Sequence, residues 1–446
     1  MQKQSKAKIQ LSNAQMTRIT HLLNNKLKTI DMVQLCQMFY SLKENNGTTA
    51  STLLLITLLT VRLKELKISS MNAQGIANSL YGLQKMSSDS VEVREVLLEM
   101  IPHIKAYKGT FTSQGIGNAL YGLQKMSSDR VEVQNVLLSM IPHIKACKDI
   151  FTEQSIANSL YGLQKMSSDS VEVRVVLQSM IPHIKACKAM FTSQGIGNAL
   201  YGLQKMSSDN AEVQKVLQAL ISHIETCKDI YSPEEFEQCF LAMSCVFSDT
   251  DICSTQIMTV IIQNLSIYLD NSKDANILFY EDICRLERGI NIFEFKQFHK
   301  ISSDELKTSI QDIKNKIIMY KHEYKLKAIK KIKSSSTENF IGNYMKIALK
   351  DNEHIVIEFN SDIDGFELDI LLKVVNNNNK MINIEVDGPS HHIRNSKIFM
   401  KTRDELLRTK YGMDLIRISL LQNGRYLTNS ELEITILKIL REYNLI

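Results

Sequence analysis

The chain has 446 residues, 44% of them hydrophobic, with 53 Lys and Arg against 48 Asp and Glu and a formal net charge of +5. That content excludes a disordered tail and is enough to bury the cores of two or three structural units. Five prolines and no tryptophan, beside abundant Leu, Ile, Lys, Gln and Asn, point to long helices over the first part.

Residues 1–70 read as N-terminal capping helices with a degenerate repeat. Lys3, Lys6, Lys8, Arg18, Lys26 and Lys28 stand there without an acid up to residue 30, which reads either as an organelle-targeting peptide or, from Leu11 to Leu27, as a capping helix. The most apolar stretch, Leu53 to Val61, is too short to span a bilayer and reads as a buried helix. No secretory signal or transmembrane segment is expected, and the location expected is cytoplasmic or organellar. Eight cysteines show no CxxC and no zinc spacing, which fits a reducing compartment.

Residues 71–230 hold four near-identical 40-residue units beginning at Met71, Phe111, Phe151 and Phe191. Such a period marks a solenoid whose extended face binds something long. Each unit reads as a helical hairpin: a first helix from Gln114 to Met126, a Ser-Ser-Asp break that caps the next, and a second helix from about Val131. Ile116, Leu120 and Leu123 fall on the packing side, and Gln114, Asn118, Tyr121 and Lys125 on the opposite side. The same stripe recurs as Gln74, Asn78, Tyr81 and Lys85, as Gln154, Asn158, Tyr161 and Lys165, and as Gln194, Asn198, Tyr201 and Lys205. Amides pair with base edges, tyrosine rings stack on bases and lysines meet phosphates, so single-stranded RNA suits this face. Packing between repeats is the competing role, for the tyrosines above all. His103, His143, His183 and His223 read as core or groove residues rather than metal ligands. Alternations at Ala77, Gly117, Ala157 and Gly197, and at Ser79, Ala119, Ser159 and Ala199, follow from paired duplication, with base selection as the other reading.

Residues 231–300 read as a degenerate repeat with capping helices, so that the array runs from about residue 11 to 290. Residues 301–336 read as a basic helical connector, because nine lysines between Lys307 and Lys333, Lys330 and Lys331 among them, stand against Asp312 and Glu323. The four repeats together sum to about +1, so phosphate attraction is expected at the connector, unless its lysines only solvate a linker.

Residues 337–446 change period. A helix from Thr337 to Leu349 precedes strands at His354–Phe359, Phe366–Val374, Met381–Val386 and Asp414–Ser419, with a turn at Asn376–Asn379 and helices near Ser396–Lys410 and from Ser430. The hairpin sets Asp369 opposite Glu385 and Asp387, three carboxylates able to hold Mg²⁺ or Mn²⁺ and activate water against a phosphodiester. The plain alternative is a solvent-facing acidic strand.

Residues 338 to 425 resemble a RAP domain through FELDILL (Phe366 to Leu372), IEVDGPSHH (Ile384 to His392), the helical segment from Lys401 to Leu407 and YGMDLIRI (Tyr411 to Ile418). The upstream units resemble octotricopeptide repeats, which accompany that domain in organellar and some bacterial RNA-processing factors. The resemblance implies a sequence-selective RNA-binding protein acting in RNA processing, stability or translation, with single-stranded RNA and other RNA-processing proteins as partners and no membrane. The C-terminal domain also resembles the PD-(D/E)xK fold of the very-short-patch-repair endonuclease. On that likeness Asp369 and Glu385 are metal ligands, Glu338 an auxiliary acid, His391 or His392 an acid or base, and Lys401 or Arg403 a phosphate holder. Asp387 stands where the nuclease pattern has a lysine, which removes the usual cation beside the attacking water. The expected fold is thus an α-solenoid of helical-hairpin repeats followed by a small mixed α/β, restriction-endonuclease-like domain. A metal-dependent RNA or DNA endonuclease targeted by the repeats, and a protein-binding scaffold, are the alternative functions.

Overall fold

The computed structural model describes residues 17–18, 21, 26–45, 49–248, 252–275, 279–328, 336–350, 352–375, 380–387, 397–422 and 425–446. It divides into two compact units, one of Met1–Tyr268 with His299–Lys307 and one of Leu269–Phe298 with Thr308–Ile446.

In the first unit, α1 (Met32–Ser41) and α2 (Ala50–Glu65) precede the repeats. The four hairpins are α3 (Ala73–Gly82) with α4 (Val91–Ala106), α5 (Ser113–Tyr121) with α6 (Val131–Ala146), α7 (Glu153–Tyr161) with α8 (Val171–Ala186), and α9 (Ser193–Tyr201) with α10 (Ala211–Thr226). They are followed by α11 (Pro233–Val246) and α12 (Ile252–Ala275). First helices pack on first helices of neighbouring repeats, and second on second. Ile116, Leu120, Leu123, Val133, Val136, Leu137 and Met140 are fully buried in the unit that begins at Phe111, and their counterparts are buried in the others. Burying each such side chain contributes about 1.5–3 kcal/mol.

The first helix is shorter than its periodicity predicts. It ends at Tyr121, and the chain continues through tight turns in which Leu123 N–H donates to Leu120 O and Gln124 N–H to Tyr121 O. Gly122 follows because the preceding first helix lies against it: a Cβ there would sit 2.0 Å from Leu80 O. Gly82, Gly162 and Gly202 meet Phe39 O, Leu120 O and Leu160 O in the same way. The Ser-Ser-Asp break does not cap the second helix itself. Ser90 and Ser170 do, accepting from Val93 N–H and Val173 N–H, while Ser127 Oγ accepts from Asp129 N–H inside the turn.

One helical stretch among the described residues, Ile252–Ser272 of α12, is apolar and long enough to cross a membrane by length and composition. Ile257, Met258, Ile261 and Leu265 on it are fully buried against protein.

The second unit contains α13 (Tyr280–Gln297), most of α14 (Asp304–Ala328), α15 (Ser336–Ala348), β1 (Ile355–Ile363), β2 (Phe366–Val374), β3 (Lys380–Asp387), α16 (Lys397–Tyr411), β4 (Asp414–Ser419), a small β5–β6 ribbon (Leu421–Gln422, Arg425–Tyr426) and α17 (Asn429–Glu442). The sheet runs β1-β2-β3-β4, antiparallel except for the β3–β4 pair, which α16 connects. Ile370, Leu372, Ile382, Ile384 and Val386 bury one face against Ile341 and Met345 of α15 and Ile436 and Leu440 of α17. The β1–β2 turn places Asp364 at φ 55° and Gly365 at φ 79°, as a two-residue hairpin of the twist-matched kind needs.

Within the segment 301–336, expected to be a basic connector, the structure describes residues 301–328 and 336. Its helix α14 buries Ile310, Ile313, Ile317 and Tyr320, and from Thr308 onward belongs to the second unit. Every lysine of the run with a described side chain is paired: Lys307 with Asp304, Lys314 with Glu294, Lys316 with Asp270, and Lys321 with Glu287 and Asp362. A count of charges along the sequence shows the lysines but not the carboxylates that fold onto them. Lys330 and Lys331 lie outside the described residues.

Candidate nucleic-acid interface

The stripe drawn from helical geometry is present on the first helices. Gln74, Gln114, Gln154 and Gln194 are exposed, and Asn78, Asn118, Asn158 and Asn198 are half-buried. Among the described residues none of these eight side-chain amides makes a hydrogen bond within the protein. A half-buried amide without a protein partner keeps donors and an acceptor within reach of solvent, and therefore of a ligand.

The tyrosines do something different. Tyr40, Tyr81, Tyr121, Tyr161 and Tyr201 form one column, with neighbouring ring centroids 5.5 to 5.8 Å apart and planes 18° to 27° from parallel. A base inserted between two rings would need about 7 Å, twice the ~3.4 Å rise of stacked bases. The rings therefore pack against one another, and base stacking on their faces, expected from the sequence, is displaced by packing between repeats. Burial pushes the Tyr161 hydroxyl up to about 12 and raises that of Tyr81.

The lysines are unequal. Lys85 reaches Glu44 at 3.2 Å and Lys165 is also engaged. Lys125 and Lys205 make no ion pair among the described residues.

Three further rows join the repeats. His143 Nε2 meets Ile104 O at 2.9 Å, His183 Nε2 meets Ile144 O at 2.9 Å and His223 Nε2 meets Ile184 O at 3.0 Å, while His103 uses Nδ1 on Ile68 O. His143, His183 and His223 each reach a carbonyl in the last turn of the preceding second helix, and Phe111, Phe151 and Phe191 cover their rings. Ser88, Ser128 and Ser168 accept from the N–H of Ser127, Ser167 and Ser207 in the following repeat. Gln84, Gln124, Gln164 and Gln204 are buried beneath the tyrosines, with Gln164 donating to Gln124 at 3.4 Å. Sequence reasoning missed this glutamine row, although its invariance across the four units was visible.

On the C-terminal sheet, the register that pairs Ile370 with Ile384 sets Asp369 across from Glu385. The three carboxylates do not converge as ligands. Glu385, 4% exposed, accepts from Arg403 and, at 2.6 Å, from Asn383. Asp387 pairs with Arg417 at 3.2 Å, and Arg417 also holds Asp404 at 3.1 Å. Asp369 Oδ2 accepts from Val386 N–H at 2.7 Å. The face is thus neither solvated nor set up for a cation. Arg403 and Arg417 already supply the positive charge that Mg²⁺ or Mn²⁺ would bring, so these residues do not fit the ion. Among the described residues no group of three or more His, Cys, Asp or Glu side chains is arranged to hold a metal.

Arg403, expected to grip phosphate, is 6% exposed and spent on Glu385, whereas Lys401 is exposed on α16. His391 and His392 lie outside the described residues, as does the side chain of Glu338.

A second buried cluster was not anticipated. Asp362 accepts from Tyr280 Oη at 2.6 Å, Cys284 Sγ at 2.9 Å and Lys321 Nζ at 2.7 Å. Burial alone would raise its pKa, but the bonds from Cys284, Lys321 and Tyr280 hold it below the usual carboxylate value. Burial and the carboxylate push the Tyr280 and Cys284 groups up, so neither is an activated nucleophile.

A scan against protein-family models finds no match to this chain, and a search of curated proteins finds none with significant similarity.

Proposed function

We propose that the repeats bind single-stranded RNA along the row of Asn and Gln side chains. What carries this reading is the set of four half-buried Asn amides, one per repeat, that find no partner among the described residues. A packing role would consume their hydrogen bonds, as it does those of the His and Ser rows. An amide presents a donor and an acceptor together, which matches a base edge, and single-stranded RNA exposes those edges one nucleotide at a time. Gln side chains one turn before widen the polar strip, and Lys125 and Lys205 add charge at its far end. The tyrosine column acts as the rigid floor on which the amides are spaced, not as a stack for bases.

The C-terminal unit is given no cleavage step in this reading, because Arg403 and Arg417 neutralise the carboxylates that a metal-dependent hydrolysis would need. Lys401 remains as its exposed phosphate contact. We read the whole as a sequence-selective RNA-binding protein in RNA processing, stability or translation.

A second reading, a scaffold for an extended polypeptide, draws on the same free amides, since a peptide backbone also offers alternating donors and acceptors, and on the near-neutral charge of the repeats. Crosslinking the protein in cells and sequencing the attached RNA separates the two. Enriched RNA supports the first reading, and its absence alongside a crosslinked protein supports the second.

A further inference from the structure

A surface that reads bases discriminates only through the side chains it presents, and the four repeats present the same ones. Gln, Asn, Tyr and Lys recur at each of the four stripe positions without a single change. The sites are also alike in orientation, because the tyrosine rings that support them repeat within 0.3 Å in spacing, from 5.5 to 5.8 Å.

At the two positions where the first helices alternate between Ala and Gly and between Ser and Ala, the variation is turned inward. Ala77, Ser79, Ala119, Ala157, Ser159 and Ala199 are all at most 2% exposed. A Cβ at Gly117 would lie 3.0 Å from Ser155 O of the next repeat, and Ser159 Oγ donates to Ser155 O at 2.7 Å. These differences are absorbed where one first helix meets the next, and Glu153, which stands where the other units have Ala73, Ser113 and Ser193, accepts from Thr192 Oγ1 of the following repeat at 2.6 Å, so the four stripe positions themselves keep the same side chains.

The flanking helices break the pattern. Tyr40 continues the column on α1, where Gln37 takes the place of Asn, and on α11 Gln238 and Leu241 replace Asn and Tyr. Identical reading is confined to four consecutive units.

Resting on the RNA-binding reading above, we infer that the preferred strand is a run of identical nucleotides, one per repeat, and that the nucleotide is adenosine. Adenine is the base whose N6 donor and N7 acceptor an Asn or Gln amide engages in a paired contact. A mixed sequence would meet four copies of one preference and satisfy only some of them.

The test uses the full chain and fluorescein-labelled 12-nucleotide RNAs: all-A, all-C, all-U and a mixed sequence of A, C and U. Fluorescence anisotropy should show all-A bound at least ~10-fold more tightly than the mixed strand, since each good amide–base contact discriminates by about 1–3 kcal/mol. Asn118→Ala and Asn158→Ala should each weaken all-A binding by a similar factor and weaken the mixed strand less, with thermal melts of both variants confirming that they fold. Tighter binding of all-C or all-U overturns the adenine assignment, and equal or tighter binding of the mixed strand overturns the identical-nucleotide inference. Binding to none of the four strands overturns the RNA-binding reading itself.

Discussion

Tyr121 lies on Tyr161 with ring centroids 5.5 Å apart and planes 18° from parallel, although 40 residues of chain separate them. The contact recurs down the column, so Tyr81, Tyr121 and Tyr161 are each sandwiched between two other tyrosines. A stacked aromatic pair contributes about 0.5–1.5 kcal/mol beyond its buried area. Tyr121→Ala, which breaks two pairs, should cost about 3 kcal/mol, and Tyr121→Phe should recover most of it. Urea unfolding of the two variants measures this. A Tyr121→Ala protein as stable as the parent would mean that the column is incidental.

Gly162 admits Leu120 O where a Cβ would lie 2.1 Å away. Gly162→Ala should therefore force the first helices apart and cost about 1–3 kcal/mol, against the small gain that alanine gives in an unhindered helix. The same chemical unfolding reads the sign, and a stabilised variant would contradict the close approach.

Asp362, side chain 10% exposed, binds Lys321 within the second unit. Its folded pKa is depressed, so its contribution to stability is present above the unfolded carboxylate pKa and fades as the pH falls through the folded one. Asp362→Asn should lose about 3 kcal/mol at neutral pH, the cost of leaving Lys321 without this partner. The gap between variant and parent should then close in acid. A gap constant with pH would show that the carboxylate charge is not what matters there.

Arg403 and Glu385 are 7% and 5% exposed in their side chains and neutralise each other. Removing one partner strands the other charge, so Arg403→Met should destabilise the second unit by about 3–5 kcal/mol. Adding Mg²⁺ or EDTA should leave the melting temperature of the parent protein unchanged. A rise with Mg²⁺ would show that the carboxylates accept a cation after all, by mass action on the folded state.

Much of this was legible in the chain because it depends on short-range periodicity. Strands β2 and β4 begin and end where the sequence places them, while the hairpin alone set Asp369 opposite Glu385. Partners distant in sequence were not legible. Nothing local to Glu385 announces Arg403 on another element, and nothing in the lysine run of α14 announces Glu294, Glu287 or Asp362. The tyrosines sit between these cases. An identical residue in every unit of a stacked array meets its own copy if the faces align, yet the same identity is what a repeated ligand contact would show. Only the spacing between repeats, set by the glycines that follow the tyrosines, decides for packing.

The row of free amides carries the account, and the most direct test replaces it whole. An Asn78, Asn118, Asn158 and Asn198→Ala variant is compared with the parent by fluorescence anisotropy on an RNA selected in vitro by the parent and on a random pool of equal length, at fixed salt. Loss of the selected RNA by at least ~100-fold, with the random pool changed by less than ~3-fold and the melting temperature retained, is the predicted result, because base contacts specify and phosphate contacts only position. Equal losses on both RNAs, or none on either, would contradict the claim that these amides read the strand.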